Sequence, residues 1–198
     1  VSMKRRSKYR WILYSLLNLS IHLADGLVTY INTPDLAMEG NPLVAKLGYG
    51  WGALFTANLV GFLFVVAMTW TFCRYEHVHI PAKGWFDYYM KLFYGENYKP
   101  YWCFYKFSKN WESKLALFCY GLYWGITAGA VFPVLGWIFY MLDVEPAWWH
   151  TALYGYITAL AVAYSMLIKW LHDGYRESKK AVYQESKIVE GKQEENCI

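Results

Sequence analysis

Five polar side chains recur at helical spacing within an apolar run near the start of the chain. Separated by three or four residues, they form one stripe on a helix, here called the polar stripe: Ser15, Asn18, His22, Asp25 and Thr29. Polar groups are costly in hydrocarbon, so such a stripe faces the protein interior or a water-filled cavity. Because His and Asp also bind metals and transfer protons, the stripe predicts a functional site.

Further polar residues are expected at the same outer level of the membrane. They lie on the first outer loop, in the second predicted span, in the last outer turn and at the start of the fourth span: Glu39, Asn41, Asn58, Asp143, Glu145 and His150. Two imidazoles with several carboxylates suit a transition metal such as zinc, with one position left open for water or substrate. The placement rests on depth alone, and lateral proximity is assumed.

These residues receive three predicted roles. The predicted metal ligands are His22, Asp25, Glu39 and His150, and the predicted catalytic residues are Asp25 and Glu39. The predicted ligand-binding residues are Asn18, Thr29, Asn41, Asn58, Asp143 and Glu145. A divalent metal at this place would activate water against a substrate in the membrane, which is the chemistry of a membrane-embedded hydrolase. The leading hypothesis is therefore an outer-side polar pocket that binds a metal ion or a small polar ligand.

Other interpretations of the same residues stay open. The stripe could consist only of structural contacts between helices, with His22 and Asp25 neutralising each other beside Thr29 and Asn58. The protein could be a non-catalytic subunit of a larger membrane complex. It could also carry ions or protons, or hold a haem between His22 and His150.

The elements that position the stripe are predicted to be membrane helices. With 198 residues, of which 57% are hydrophobic and 21% aromatic, the chain is predicted to be one membrane domain. Four apolar runs are long enough to cross a bilayer, at about residues 11–30, 51–73, 115–142 and 147–171. The fold class predicted is all-α, an integral membrane four-helix bundle.

Positive charge predicts the orientation of these spans. Of the 19 Lys and Arg residues, Lys46 alone falls in the two predicted outer loops. The others belong to the basic arm 1–10, the central connection 75–113, the tail 173–198 or the span ends beside them. The positive-inside rule then places both termini in the cytoplasm, and we expect the membrane to be the prokaryotic cytoplasmic membrane.

The central connection, residues 75–113, is predicted to contain an amphipathic helix at the membrane interface. Its large apolar residues recur at one, three and four positions: Trp85, Phe86, Tyr89, Met90 and Phe93. The next residues, 99–111, mix lysines with aromatic side chains, which favours lipid headgroups over nucleic acid as the partner. His77 and His79 are expected to be loop residues.

Small residues repeat every fourth position in the third and fourth spans. The first set is Gly121, Gly125 and Gly129, and the second is Gly155, Ala159 and Ala163. Such faces let helix backbones approach closely, so the two spans are expected to pack antiparallel through them. The same faces and the 75–113 connection are the surfaces predicted to contact partner membrane proteins.

One longer pattern resembles a known group. Asp25-x3-Thr29 followed by Glu39-x-Asn41-Pro42 and a glycine-led second span is similar to a motif of small, uncharacterised bacterial and archaeal multi-pass membrane proteins. The likeness covers residues 21–64, and Asn58 stands where that group often carries a lysine. The resemblance implies a membrane fold of unknown function.

Overall fold

The computed structural model describes residues 9–38, 47–104, 106, 108–144 and 148–195, without the side chains of 104, 148–152 and 185–195. The regular secondary structure of this part of the chain is all helical, with five α-helices, one short 3-10 helix and no strand. The helices are α1 (Arg10–Asn32), α2 (Trp51–Arg74), α3 (Trp85–Tyr94), the 3-10 helix Pro100–Phe104, α4 (Trp111–Met141) and α5 (Trp148–Glu195).

Among the described residues, three helices are long and apolar enough to cross a membrane: α1, α2 and α4. Their outward faces carry large apolar side chains that the protein does not cover, such as Leu13, Leu23 and Phe55. Lipid solvates such faces as well as a protein core does. The first three predicted spans are thus confirmed as helices. The fourth, 147–171, falls almost wholly within α5 and stays a prediction as a membrane span.

The contacts of the chain divide it into two compact units. The first unit is Val1–Arg74 with Cys119–Ser165, and the second is Tyr75–Phe118 with Met166–Ile198. Both α4 and α5 contribute one part to each unit, because the divisions fall within these two helices. The polar stripe belongs to the first unit, and the central connection belongs to the second.

Aromatic contacts set the direction of α2 against α1 in the first unit. The rings of Trp11 and Trp70 lie 5.3 Å apart at one end of the pair. At the other end the rings of Tyr30 and Trp51 lie 5.7 Å apart. Because rising numbers on α1 meet falling numbers on α2, the two helices run antiparallel, as expected for consecutive spans.

The direction of α4 against α1 follows from two hydrogen bonds. The Tyr123 hydroxyl donates to the Tyr14 carbonyl at 2.9 Å, and the Asn18 amide donates to the Thr127 hydroxyl at 3.3 Å. Both members of the second pair lie four residues after those of the first, so α1 and α4 run parallel. This direction agrees with the alternating topology predicted for spans one and three.

Small residues bring α4 and α5 together in the first unit. A Cβ atom added to Gly125 would lie 3.0 Å from the Cβ of Ala163 and 3.1 Å from the carbonyl oxygen of Ala159. One added to Gly129 would lie 3.4 Å from the Cβ of Ala159. Rising numbers on α4 again meet falling numbers on α5. The predicted antiparallel packing through the small faces is confirmed for these residues.

In the second unit, α3 confirms the amphipathic helix predicted in the central connection. Trp85 and Phe86 at its start are exposed, whereas Tyr88 and Met90 have no exposed area. The Lys83 amide donates to Asp87 at 2.8 Å before the first turn, and this bond lowers the pKa of the Asp87 carboxyl. The inner face of α3 packs on protein, so only part of the helix is available to lipid.

Candidate functional site

The first part of the polar stripe, Ser15 and Asn18, is joined to neighbouring helices by hydrogen bonds. The Ser15 and Thr69 hydroxyls lie 2.9 Å apart, which joins α1 to α2. Asn18, with no exposed area, joins α1 to α4 through Thr127. The expectation that the stripe faces the protein interior is confirmed at these positions.

Two buried polar atoms of α1 and α4 have no hydrogen-bond partner among the described residues. They are Asn18 Oδ1, an acceptor on α1, and Trp124 Nε1, a donor on α4. Trp124 lies within one turn of Thr127 on α4, and its ring is 5.9 Å from that of Tyr14 on α1. Buried polar atoms without partners are rare, because each costs roughly 1–3 kcal/mol. The α1–α4 contact therefore carries a local destabilisation that an apolar core would not have.

The second part of the stripe, from His22 to Thr29, contains two side chains that are more accessible. Asn18 is 0% exposed and Thr29 is 2% exposed, but His22 and Asp25 between them are only half-buried. The stripe is thus buried at Asn18 and at Thr29 and partly accessible at His22 and Asp25 between them. The opening exposes its two ionisable members and leaves the neutral ones covered.

Asn58 on α2 lies beside the same opening. It follows the buried Leu54 by four residues and precedes the buried Val65 by seven, so it shares their helix face. The antiparallel register, in which Ser15 meets Thr69, brings Asn58 to the turn of α1 that carries Asp25. Yet Asn58 is exposed. We call this region, formed by His22, Asp25 and Asn58, the polar gap.

The chain that leaves α1 is held in a defined turn. Thr33 donates its hydroxyl to Asp35 at 3.1 Å and accepts the amide of Met38 at 3.1 Å. Asp35 also accepts the Ala37 amide, which with the Thr33 hydroxyl lowers the pKa of its carboxyl. The turn ends at Met38, the last described residue before residue 47.

Several predicted site residues fall outside the described part of the chain. These are Glu39, Asn41 and Glu145, together with the side chain of His150. Asp143 is described and lies exposed in the turn after α4, with a left-handed φ of 52°. The register of α1 and α2 therefore places His22, Asp25 and Asn58 at one level of the helices, with the buried Asn18 and Thr29 on either side along α1, and Asp143 lies in an exposed turn.

Among the described side chains, no group of three or more His, Cys, Asp and Glu residues is close enough to hold a metal ion. Within the polar gap only His22 and Asp25 are of these types. A zinc site would need four ligands, or three and a water. The predicted zinc site thus depends on Glu39 and His150, whose side chains lie outside the description.

Two partners of the stripe were not predicted from the sequence. Thr69 and Thr127 are the only polar side chains that bond it from α2 and α4 among the bonds described. The position of Thr69 along α2 could have indicated this contact, because Thr69 lies near the C-terminal end of α2 at the level of Ser15. A single threonine in a span is common, however, since its hydroxyl can bond its own helix.

The Ser15–Thr69 contact makes a measurable prediction. We expect Ser15→Ala and Thr69→Val each to lower stability, with a coupling energy of about 0.6 kcal/mol in a double-mutant cycle, the average for hydrogen bonds between membrane helices. Reversible unfolding in detergent measures it. Additive effects of the two substitutions would contradict the contact.

No family model, no characterised protein and no solved structure matches this chain. The resemblance through Asp25, Thr29, Glu39, Asn41 and Pro42 accordingly stays a prediction. The chemistry of this protein has to be argued from its own residues.

Proposed function

We propose that this protein is a four-helix protein of the prokaryotic cytoplasmic membrane, with both termini in the cytoplasm, that binds a small polar ligand or a divalent metal at the polar gap. The alternating directions of α1, α2, α4 and α5 support the four-helix arrangement. The observation that carries the binding proposal is the accessibility of His22 and Asp25 between fully buried Asn18 and Thr29.

The physical reason is the cost of ionisable groups in a membrane. A stripe that served only to join helices would gain most from small neutral side chains, as Ser15 and Thr69 show. An Asp and a His at the open level add a desolvation cost that interhelical contact does not require. A polar ligand that accepts from His22 and donates to Asp25 would use both ionisable groups at once.

The catalytic form of the proposal uses the loop after α1. Asp25 would act as base or metal ligand, with Glu39 as the second carboxylate and His150 as a further imidazole. The reaction class would be hydrolysis of a substrate that enters from the outer leaflet. Zinc is the metal that this set of ligand types favours.

The test uses full-length protein purified in mild detergent. Native mass spectrometry detects a retained small molecule, elemental analysis detects metal, and titration with Zn²⁺ measures its affinity. We expect His22→Ala and Asp25→Asn to remove the retained species, or to weaken Zn²⁺ binding roughly tenfold or more. The helical content and the unfolding transition should remain.

Ser20→Ala is the matched control. Ser20 lies on α1 between Asn18 and His22 but is exposed, and its hydroxyl bonds the Leu17 carbonyl of its own helix at 2.8 Å. We expect this variant to bind as the natural protein does. A natural protein that retains no small molecule and no metal, and takes up no Zn²⁺, would refute the proposal.

A further inference from the structure

The Tyr75–Pro81 segment, which follows α2, is held without being part of a helix. Ser178 on α5 bridges the backbone of Ile80: its hydroxyl accepts the Ile80 amide at 2.7 Å and donates to the Ile80 carbonyl at 2.6 Å. The Tyr88 hydroxyl on α3 donates to the Val78 carbonyl at 3.2 Å. The segment is thereby tied to two elements of the second unit.

His77 is the side chain that this segment inserts. Its ring centroid lies 4.5 Å from that of Trp170 and 5.7 Å from that of Tyr75. Its Nδ1 atom is buried and has no hydrogen-bond partner among the described residues. Packing therefore holds the imidazole on this side, and no described group accepts a proton carried by Nδ1.

Gly174 on α5 lies beside this nitrogen. A Cβ atom at this position would lie 2.6 Å from His77 Nδ1 and 2.9 Å from the Tyr88 hydroxyl. Contacts under 3.0 Å are essentially absent for real Cβ atoms, so the site requires glycine. The nitrogen is therefore packed closely against α5 at Gly174.

The charges around His77 come from the elements packed on it. Burial is the largest influence and lowers the pKa of the imidazole. Glu177 and Asp173 on α5 act in the opposite direction, and His79 on the segment itself lowers the pKa further. Tyr75 and Tyr88 remain neutral, because burial raises the pKa of both phenols.

We propose that the Tyr75–Pro81 segment is a pH-sensitive latch, closed while His77 is neutral and released when the buried Nδ1 takes up a proton. Protonation places a donor with no acceptor, and a charge, in a packed aromatic site. Since the imidazole binds protons less well in the closed state, closure is fully stable above the ordinary histidine pKa of about 6.5 and weakens as the pH falls below it. This latch is independent of the polar gap.

Hydrogen exchange at the Ile80 amide reports directly on closure, because that amide donates to Ser178. The full-length protein in nanodiscs is compared at about pH 7.5 and about pH 5, with intrinsic exchange rates divided out. We expect the protection factor to fall roughly tenfold or more at the lower pH, since closure weakens up to about tenfold for each unit of pH between the ordinary histidine pKa of about 6.5 and the lower pKa of the closed state. A pH-independent protection factor would overturn the latch.

Two substitutions identify the titrating group. His77→Phe keeps an aromatic ring that cannot be protonated, and its protection factor should not change with pH. His79→Phe, at an exposed position two residues away, should keep the full change. An unaltered pH response in His77→Phe, or its loss in His79→Phe alone, would overturn the assignment to His77.

A measurement without substitution covers the case in which His77→Phe does not fold. Histidine titration by NMR in the natural protein should give His77 a pKa below the ordinary histidine value of about 6.5, and a pKa at or above that value would overturn the proposal. Gly174→Ala should lower Ile80 protection at both pH values. The control Gly61→Ala in α2 meets no atom within 4 Å and should leave it unchanged.

Discussion

Replacing Gly125 by leucine is expected to lower the stability of the protein by more than about 3 kcal/mol. Even a single Cβ atom there would lie 3.0 Å from the Ala163 Cβ and 3.1 Å from the Ala159 carbonyl oxygen. The second contact is to backbone, so no side-chain rotation can relieve it. A leucine adds three more carbons in the same direction, which forces α4 and α5 apart.

The measurement is thermal unfolding of purified protein, with size-exclusion chromatography to detect aggregates. Gly61→Leu is the control, because a Cβ atom added at this exposed position on α2 meets no atom within 4 Å. It should unfold close to the natural temperature, and Gly125→Ala should fall between the two. Equal stability of the two leucine variants would show that the small faces do not form the α4–α5 contact.

This contact bears on the prediction of protein partners. Gly125, Gly129 and Gly155 are occupied within the chain, where Gly155 meets Phe132. A partner at these faces would have to displace α5 from α4. The exposed aromatic residues of the second unit, such as Trp85 and Tyr101, offer a surface without that cost. The 75–113 connection is therefore the more favourable of the two surfaces proposed to contact a partner protein.

Hydropathy and periodicity were enough to predict the helices but not their neighbours. Apolar length placed α1, α2 and α4, because hydrocarbon demands satisfied backbone groups over about 20 residues. The stripe predicted the buried face of α1 correctly at Ser15, Asn18 and Thr29. Depth along a span, however, says nothing about which helices adjoin, so Thr69 and Thr127 were not foreseen.

The central connection shows a second reason for the limits of prediction. Its aromatic and other large apolar residues were expected at the lipid interface. Tyr88 and Met90, however, are fully buried in protein. Hydropathy cannot distinguish a side chain covered by lipid from one covered by another helix, since both environments are apolar. His77 is a loop residue, as expected, but hydropathy did not indicate that its ring packs against Trp170.

Substitutions of Asn18 distinguish most clearly between effects on stability and effects on function in the polar stripe. Asn18→Asp is expected to cost about 3 kcal/mol or more at neutral pH, because it places a carboxylate at a position with no exposed area. Part of that loss should return in acid, where the carboxyl group becomes neutral. Unfolding measured across pH, beside the natural protein, gives both quantities.

Asn18→Leu, whose side chain has the same number of heavy atoms and the same branching, is the apolar counterpart. It removes an acceptor that already lacks a partner and one long bond of 3.3 Å to Thr127, whose hydroxyl can turn to its own helix. We expect stability within about 1 kcal/mol of the natural protein, or above it. A large loss would mean that the amide is indispensable to the helix contact. Retained stability with weakened binding at the polar gap would show that the buried part of the stripe serves the ligand, since His22 lies one turn away on the same face of α1.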